Sequence, residues 1–266
     1  MSAQPSFFTT GDGIRLAYQF DGDARLPLLL LSNSIGTDLH MWDAQVPLLT
    51  RHFQLLRYDA RGHGRSDAPA GPYSMDRLGR DVLELLDALD LQRVHFLGLS
   101  LGGFVGQWLA IQAPERLKRL VLANTAAYLG PATTWDAAIA ELLQAADMRE
   151  TTERFMHNWF PPTLLQQPSA EIEGFRRTLL ATPAAGIAGS WAAVRDGDFR
   201  RTARLIETPT LVIAGQYDSV TSARHGEELA AAIPGAQLKV LPTVHLSNVE
   251  QPEQFVALLA AFLLAA

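Results

Sequence analysis

Short β-branched or leucine-rich runs alternate along most of this chain with longer stretches of helical spacing, and few architectures tolerate that rhythm. A strand that leads through a helix to another strand builds a parallel sheet covered by crossover helices. The runs predict strands at 7–10, 14–20, 27–31, 53–58, 94–98, 120–123, 210–214 and 238–241, the first two joined as a hairpin across Gly11-Asp12-Gly13. Helical spacing falls at 41–49, 75–89, 100–112, 223–232 and 252–264. The chain therefore reads as α/β, with an eight-stranded, mostly parallel sheet and helices on both faces.

The rhythm breaks between 127 and 198, where no strand is expected and helical pieces are interrupted by Pro131, Pro161-Pro162, Pro168 and Pro183. An insertion of this size is too long for an ordinary connection, and such segments commonly form lids over a site at the strand ends. The expected organisation is a core of residues 1–126 and 199–266 carrying a helical cap at 127–198.

Composition narrows the chemistry. The 266 residues are 48% hydrophobic and 19% charged, enough apolar material for a sizeable core, with a formal net charge of -6 and no basic run to favour nucleic acid. Cysteine is absent, which removes disulfides, thiolate nucleophiles, zinc–thiolate sites and iron–sulfur clusters together. No H-E-x-x-H occurs and the histidines are scattered, so metal binding is not expected. Residues 1–13 lack a positive charge followed by an apolar stretch, so no signal or transit peptide is expected and the cytoplasm is the default location. The apolar run 255–266 falls short of the roughly 18 to 20 residues that cross a bilayer, and reads as a terminal core helix rather than a membrane contact. Nothing in the pattern fixes an oligomeric state.

The strongest local signal is Gly98-Leu99-Ser100-Leu101-Gly102, with a strand pattern before it and a helical pattern after it. A nucleophilic serine must stand clear of the sheet on a sharp strand-to-helix turn, and flanking glycines let neighbouring backbone approach. A chance G-x-S-x-G in a chain this long has a probability of roughly one in fifteen. Its place between strand and helix makes Ser100 the candidate nucleophile.

A serine hydroxyl needs a base within reach and an acid to orient that base. In a fold of this kind the order is Ser, then Asp or Glu, then His, each on a loop after a strand. Asp218 lies just past the strand at 210–214, and His245 lies between the last strand and the last helix. Of the other histidines, His63 belongs to a turn upstream of Ser100, His95 lies inside a strand, and His40, His52, His157 and His225 lack a matching strand end. Asp218 has a capping role as its alternative, with Asp196 and Asp198 as rivals that precede the strand.

Attack on a carbonyl creates an oxyanion that needs preorganised donors. One is expected from the backbone N–H of Leu101 at the helix N-terminus. The second is expected from Ser32-Asn33-Ser34-Ile35-Gly36, with Ile35 favoured and Ser34 close behind. The segment from Tyr58 to Ser66 is glycine-punctuated but lacks phosphate-loop spacing, and it reads as a turn in which Asp59 and Arg61 fix loops near the site.

The order Ser100, Asp218, His245, the 59–66 turn and the inserted cap together resemble the α/β-hydrolase fold over the whole chain. More specific segments resemble the 3-oxoadipate enol-lactonases of bacterial aromatic catabolism: Ser32 to Leu39 with Met41-Trp42-Asp43, Asn124-Thr125-Ala126-Ala127, Ala193 to Asp196 with Asp198-Phe199, and His245 to Glu250. The resemblance implies hydrolysis of 3-oxoadipate enol-lactone to 3-oxoadipate in the beta-ketoadipate pathway, through an acyl-enzyme on Ser100 and without a cofactor. The implied partner is a small anionic lactone. Its acetate arm would need a donor in an apolar pocket. Ser34 is one candidate for contact with the substrate, and the cap offers Trp135, Arg154, Trp159 and Arg195, Trp135 being favoured. Rival readings are a carboxylesterase or a C–C bond hydrolase on the same fold, and a non-catalytic ligand receptor.

Overall fold

Leu28 to Leu31 are four consecutive leucines, yet they feed two separate cores. Leu28 and Leu30 join one hydrophobic cluster and Leu29 and Leu31 the other, because successive strand side chains point to opposite faces of a sheet. The same division recurs at Leu120 and Leu122 against Val121 and Ala123, and at Val212 against Leu211 and Ile213. A sheet buried on both faces requires helices on both faces.

The computed structural model describes residues 5–167 and 169–265, so Pro168 and the ends of the 1–13 and 255–266 segments lie outside the described residues. Eight strands form one sheet: β1 (Ser6–Thr9), β2 (Arg15–Asp21), β3 (Leu28–Ser32), β4 (Gln54–Tyr58), β5 (Val94–Leu99), β6 (Leu117–Ala123), β7 (Thr210–Gly215) and β8 (Gln237–Leu241). Their spatial order is β1-β2-β4-β3-β5-β6-β7-β8. The β1–β2 hairpin and the β2–β4 pair are antiparallel, and every other pair is parallel.

Eleven helices accompany the described strands. Before and between the central strands lie α1 (Val46–Leu49), α2 (Met75–Ala88) and α3 (Leu101–Gln112). Between β6 and β7 come α4 (Ala132–Gln144), α5 (Arg149–Trp159), α6 (Pro162–Leu165), α7 (Ala170–Ala181) and α8 (Ala184–Asp196); α9 (Ala223–Ala232), α10 (Ser247–Glu250) and α11 (Pro252–Leu263) complete the chain. Helix α2 shows why such segments form and stop where they do. The Ser74 side chain accepts from the Arg77 N–H at its start, and Met75, Leu78, Val82, Leu85 and Leu86 recur on its buried face.

Two expectations from the sequence need correction. The helix expected at 41–49 is divided into a 3₁₀ turn at Leu39–Trp42 and the short α1. Asp38 caps the first piece early by accepting from the His40 N–H, and Pro47, lacking an N–H, fits only the opening of a new helical turn. The strand expected at 120–123 begins at Leu117, because Leu117 pairs with Val94 across a register shift.

Helices α4 to α8 leave and rejoin the sheet at a narrow neck. Tyr128 and Asp198 form an antiparallel bridge there, and the Phe199 N–H donates to the Ala127 carbonyl at 2.8 Å. Beyond the neck the insertion divides its apolar faces between the two cores: Trp191 and Val194 of α8 join one, while Met156, Trp159, Phe175 and Leu179 of α5 and α7 join the other. No described helix is long and apolar enough to cross a membrane.

Candidate active site

Strand β5 ends at Leu99 and α3 begins at Leu101, so Ser100 alone makes the turn. It does so at φ 58° and ψ -113°, a region that side-chain-bearing residues seldom occupy. Its backbone is clamped on both sides: the Ser100 N–H donates to Ala123 at 2.9 Å, and its carbonyl accepts from Thr125 Oγ1 at 2.8 Å. The flanking glycines are required by crowding. A Cβ on Gly98 would lie 2.0 Å from the Gly102 carbonyl oxygen, and one on Gly102 would lie 2.2 Å from that of Ser32.

Beyond β7, Asp218 is almost fully buried and both of its carboxylate oxygens are engaged. Oδ1 accepts from the backbone N–H groups of Val220 and Thr221 at 2.8 and 2.9 Å. Oδ2 accepts from Thr221 Oγ1 at 2.7 Å, Asn124 Nδ2 at 3.0 Å and His245 Nδ1 at 2.8 Å. Burial by itself would raise the Asp218 carboxyl, but the His245 charge and hydrogen bond, with those of Asn124 and Thr221, outweigh it and hold the group at about 2. An ionised Asp218 makes His245 Nδ1 the protonated nitrogen and leaves Nε2 as the basic one. The loop carrying His245 is pinned by Glu250, which accepts the Val244 N–H at 2.8 Å, and by the Leu246 N–H, which reaches the Trp159 carbonyl at 3.3 Å.

Asn33 organises the loop after β3. Its carbonyl accepts the Gly102 N–H at 3.0 Å, its Nδ2 donates to the Tyr58 carbonyl at 2.9 Å, and its Oδ1 accepts from Trp42 Nε1 at 2.7 Å. Leu101, as the first residue of α3, has no intrahelical acceptor for its N–H. Among the described residues the Ile35 N–H also lacks an acceptor. Ser34, Ile35, Ser100, Leu101 and His245 line one small cavity of about 50 Å³, completed by Phe104, Leu129, Trp135, Phe155, Asn158, Trp159, Trp191, Val194 and Val220.

The 59–66 turn braces this loop from outside. Asp59 accepts from the Leu39 N–H at 2.7 Å and the Arg65 N–H at 2.8 Å, and burial raises its carboxyl to about 6. Arg61 is buried against Asp81, with both contacts at 2.7 Å, and also reaches Asp12. Neither residue lines the cavity. Asp196 pairs with Arg195, and Asp198 with Arg200, at the neck, so the rival acids stand apart from His245.

Three expectations for the acetate arm change. Trp135 lines the cavity, but its indole N–H already donates to the Leu129 carbonyl. Arg154 pairs with Glu141, and Arg195 with Asp136 and Asp196, and neither lines the cavity. Trp159 lines it as a buried ring packed on Phe155. Asn124, Thr221 and Asn158 were missed as site residues. The one signal for Asn124 was an asparagine directly after a strand, since asparagine tolerates its positive φ of 42°.

A cavity with an elbow serine, an imidazole oriented by an ionised carboxylate, and two free backbone donors is equipped for acyl transfer. The comparisons with known proteins agree in kind. Residues 27–252 match the family model described as alpha/beta hydrolase fold. The 3-oxoadipate enol-lactonase 2 of Acinetobacter baylyi is 39% identical over 92% of this chain and 92% of its own. A solved structure of a hydrolase from Pseudomonas aeruginosa is 62% identical, with a TM-score of 0.97 and full coverage of both chains. The enol-lactonase from Burkholderia xenovorans is 36% identical, with a TM-score of 0.94 over 98% of this chain and all of that one.

Proposed function

The chain belongs to the alpha/beta hydrolase family, beside the 3-oxoadipate enol-lactonases, and is a hydrolase of ester bonds; from that premise we propose that it opens 3-oxoadipate enol-lactone to 3-oxoadipate, in the cytoplasm, within the beta-ketoadipate pathway. The observation that carries the reading is the shared cavity of Ser100 and His245, with Asp218 held 2.8 Å from the imidazole.

His245 Nε2 takes the proton of Ser100 as Oγ attacks the lactone carbonyl, and Asp218 stabilises the imidazolium that forms. The oxyanion is received by the Ile35 and Leu101 N–H groups. Collapse breaks the ring C–O bond, and the departing enol takes the proton from His245 and becomes a ketone. Water, deprotonated by His245, then attacks the acyl ester on Ser100, releases 3-oxoadipate and returns the proton to Ser100. Residues 127–198 act as the cap that closes this chamber.

A carboxylesterase acting on small neutral esters is the second reading. It is favoured by one feature, the lack of any cationic side chain among the described residues lining the cavity. Turnover of the enol-lactone, followed by loss of its ultraviolet absorbance beside p-nitrophenyl acetate, separates the two. Fast lactone turnover with weak ester hydrolysis is expected; the reverse would keep the serine chemistry and discard the lactone.

A further inference from the structure

Apart from the tryptophan N–H groups, four hydrogen-bonding side chains line the reaction cavity among the described residues: Ser34, Ser100, Asn158 and His245. Two of these, Ser100 and His245, are committed to bond making and proton transfer in the function proposed above, on which this inference rests. Asn158 has no assigned task. It lies in the last turn of α5, and the next residue is held against the histidine loop by the contact between the Trp159 carbonyl and the Leu246 N–H. The asparagine therefore lines the same cavity as the His245 imidazole rather than a free surface of the cap.

Its surroundings make the amide anomalous. Phe155 packs on Trp159 with ring centres 5.2 Å apart and stacks on Trp191 at 6.1 Å and 13°, and Trp191 in turn meets Trp135 at 6.2 Å. These four rings form a continuous aromatic wall, and all four line the cavity. The Asn158 amide makes no hydrogen bond to another described residue. A half-buried amide that lines an apolar chamber without a protein partner is free to donate to a ligand that enters it.

We infer that Asn158 is a specificity-determining residue whose Nδ2–H donates to a carboxylate on the substrate, selecting acid-bearing lactones and esters over neutral ones. Of the other donors considered, Trp135, Arg154 and Arg195 are spent or distant, whereas Trp159 Nε1, Trp191 Nε1 and Ser34 Oγ line the cavity without a hydrogen bond to another described residue, so Asn158 acts beside them. The Trp135 N–H is bonded to the Leu129 carbonyl, and Arg154 and Arg195 pair with surface carboxylates outside the chamber. A charge-assisted N–H to carboxylate bond inside an aromatic enclosure is worth about a 10- to 100-fold preference. A neutral donor also leaves the chamber uncharged between turnovers, whereas a buried arginine would need a permanent counter-ion.

The test uses 4-nitrophenyl hydrogen adipate and 4-nitrophenyl methyl adipate, which share length and leaving group and differ in one charge. The readout is the acid-to-ester ratio of kcat/KM for the wild type, Asn158→Leu, which keeps the volume, and Asn158→Asp, which replaces the donor with a negative charge. The wild type is expected to prefer the acid, Asn158→Leu to lower the ratio about 10- to 100-fold through KM, and Asn158→Asp to lower it further. A wild type indifferent to the charge, or a ratio that survives both substitutions because the two rates fall together, would overturn the inference. Enol-lactone turnover is measured in parallel: its absence, with the ratio behaving as expected, counts against the lactone and leaves the assignment of Asn158 standing.

Discussion

Asn124 Nδ2 donates to Asp218 Oδ2 at 3.0 Å, the oxygen that also receives His245 Nδ1 at 2.8 Å. The same amide reaches the Val244 carbonyl at 3.2 Å, and its Oδ1 accepts from Ser247 Oγ at 2.5 Å. One side chain at the end of β6 thus ties together the loops that follow β7 and β8. It holds the Asp218 carboxylate and the His245 imidazole in register from a third strand end.

Asn124→Ala should therefore lower kcat by about tenfold or more, since it removes a hydrogen bond to a buried charge and leaves Ser247 without its acceptor. Asp218→Asn should lower kcat further, by a factor on the order of 10⁴, as loss of the orienting acid does in serine hydrolases. Steady-state kinetics with melting temperatures measured on the same samples check both. A fall in kcat no larger than the fraction unfolded would contradict the positioning role.

Gly98→Ala and Gly102→Ala should each cost about 1–3 kcal/mol or more, because the added Cβ meets backbone oxygen at 2.0 and 2.2 Å rather than a movable side chain. Urea denaturation measures the loss. Unchanged midpoints would mean that the elbow opens more readily than its contacts imply.

Acid should destabilise the protein through two groups with distinct windows. Burial, then the nearby cations Lys118, Arg119 and Arg93, depress the His95 imidazole to about 4 from its ordinary 6.5. The folded state resists the proton that the unfolded chain accepts, so stability falls as pH drops from 6.5 to 4. His95 Nδ1 is buried without a partner, and the ring meets Phe53 edge to face at 5.9 Å. His95→Phe should keep that contact, and its melting temperature should gain on the wild type as pH falls through this window. Parallel melting curves would contradict it.

The second window belongs to Asp218, held at about 2 against an ordinary 3.8. Its contribution is complete above 3.8 and is lost as pH falls toward 2. Asp218→Asn should flatten the steepest acid part of the stability curve. A variant that loses stability between pH 3.8 and 2 as steeply as the wild type would place that proton uptake elsewhere.

Strand positions were legible because each core strand is a short apolar run bounded by turn residues, and β3 and β7 were displaced by only a residue or two. The order of Ser100, Asp218 and His245 was legible because the fold places each on a loop after a strand. The break between Trp42 and Val46 was legible only in part, since Pro47 marks the opening of a new helical turn but the early cap by the Asp38 side chain leaves no trace in the spacing. Asn124 and Asn158 were hidden for a deeper reason. Asp218 is 94 residues from Asn124, and the cavity that Asn158 lines brings Phe104 of α3, Trp135 of α4 and Trp191 of α8 to rings of its own helix. Spacing along one segment carries no trace of such meetings. Trp135 shows the converse, a residue whose type fitted the task but whose N–H is taken by a neighbour six positions away.

The most direct test of the account is turnover of 3-oxoadipate enol-lactone by the wild type and by Ser100→Ala, with intact-mass measurement of the wild type quenched during turnover. The account predicts rapid lactone loss, an adduct of the substrate's mass on Ser100, and a fall of at least about 10³-fold in the variant. Undiminished turnover by Ser100→Ala, or a wild type that leaves the lactone untouched, would contradict it.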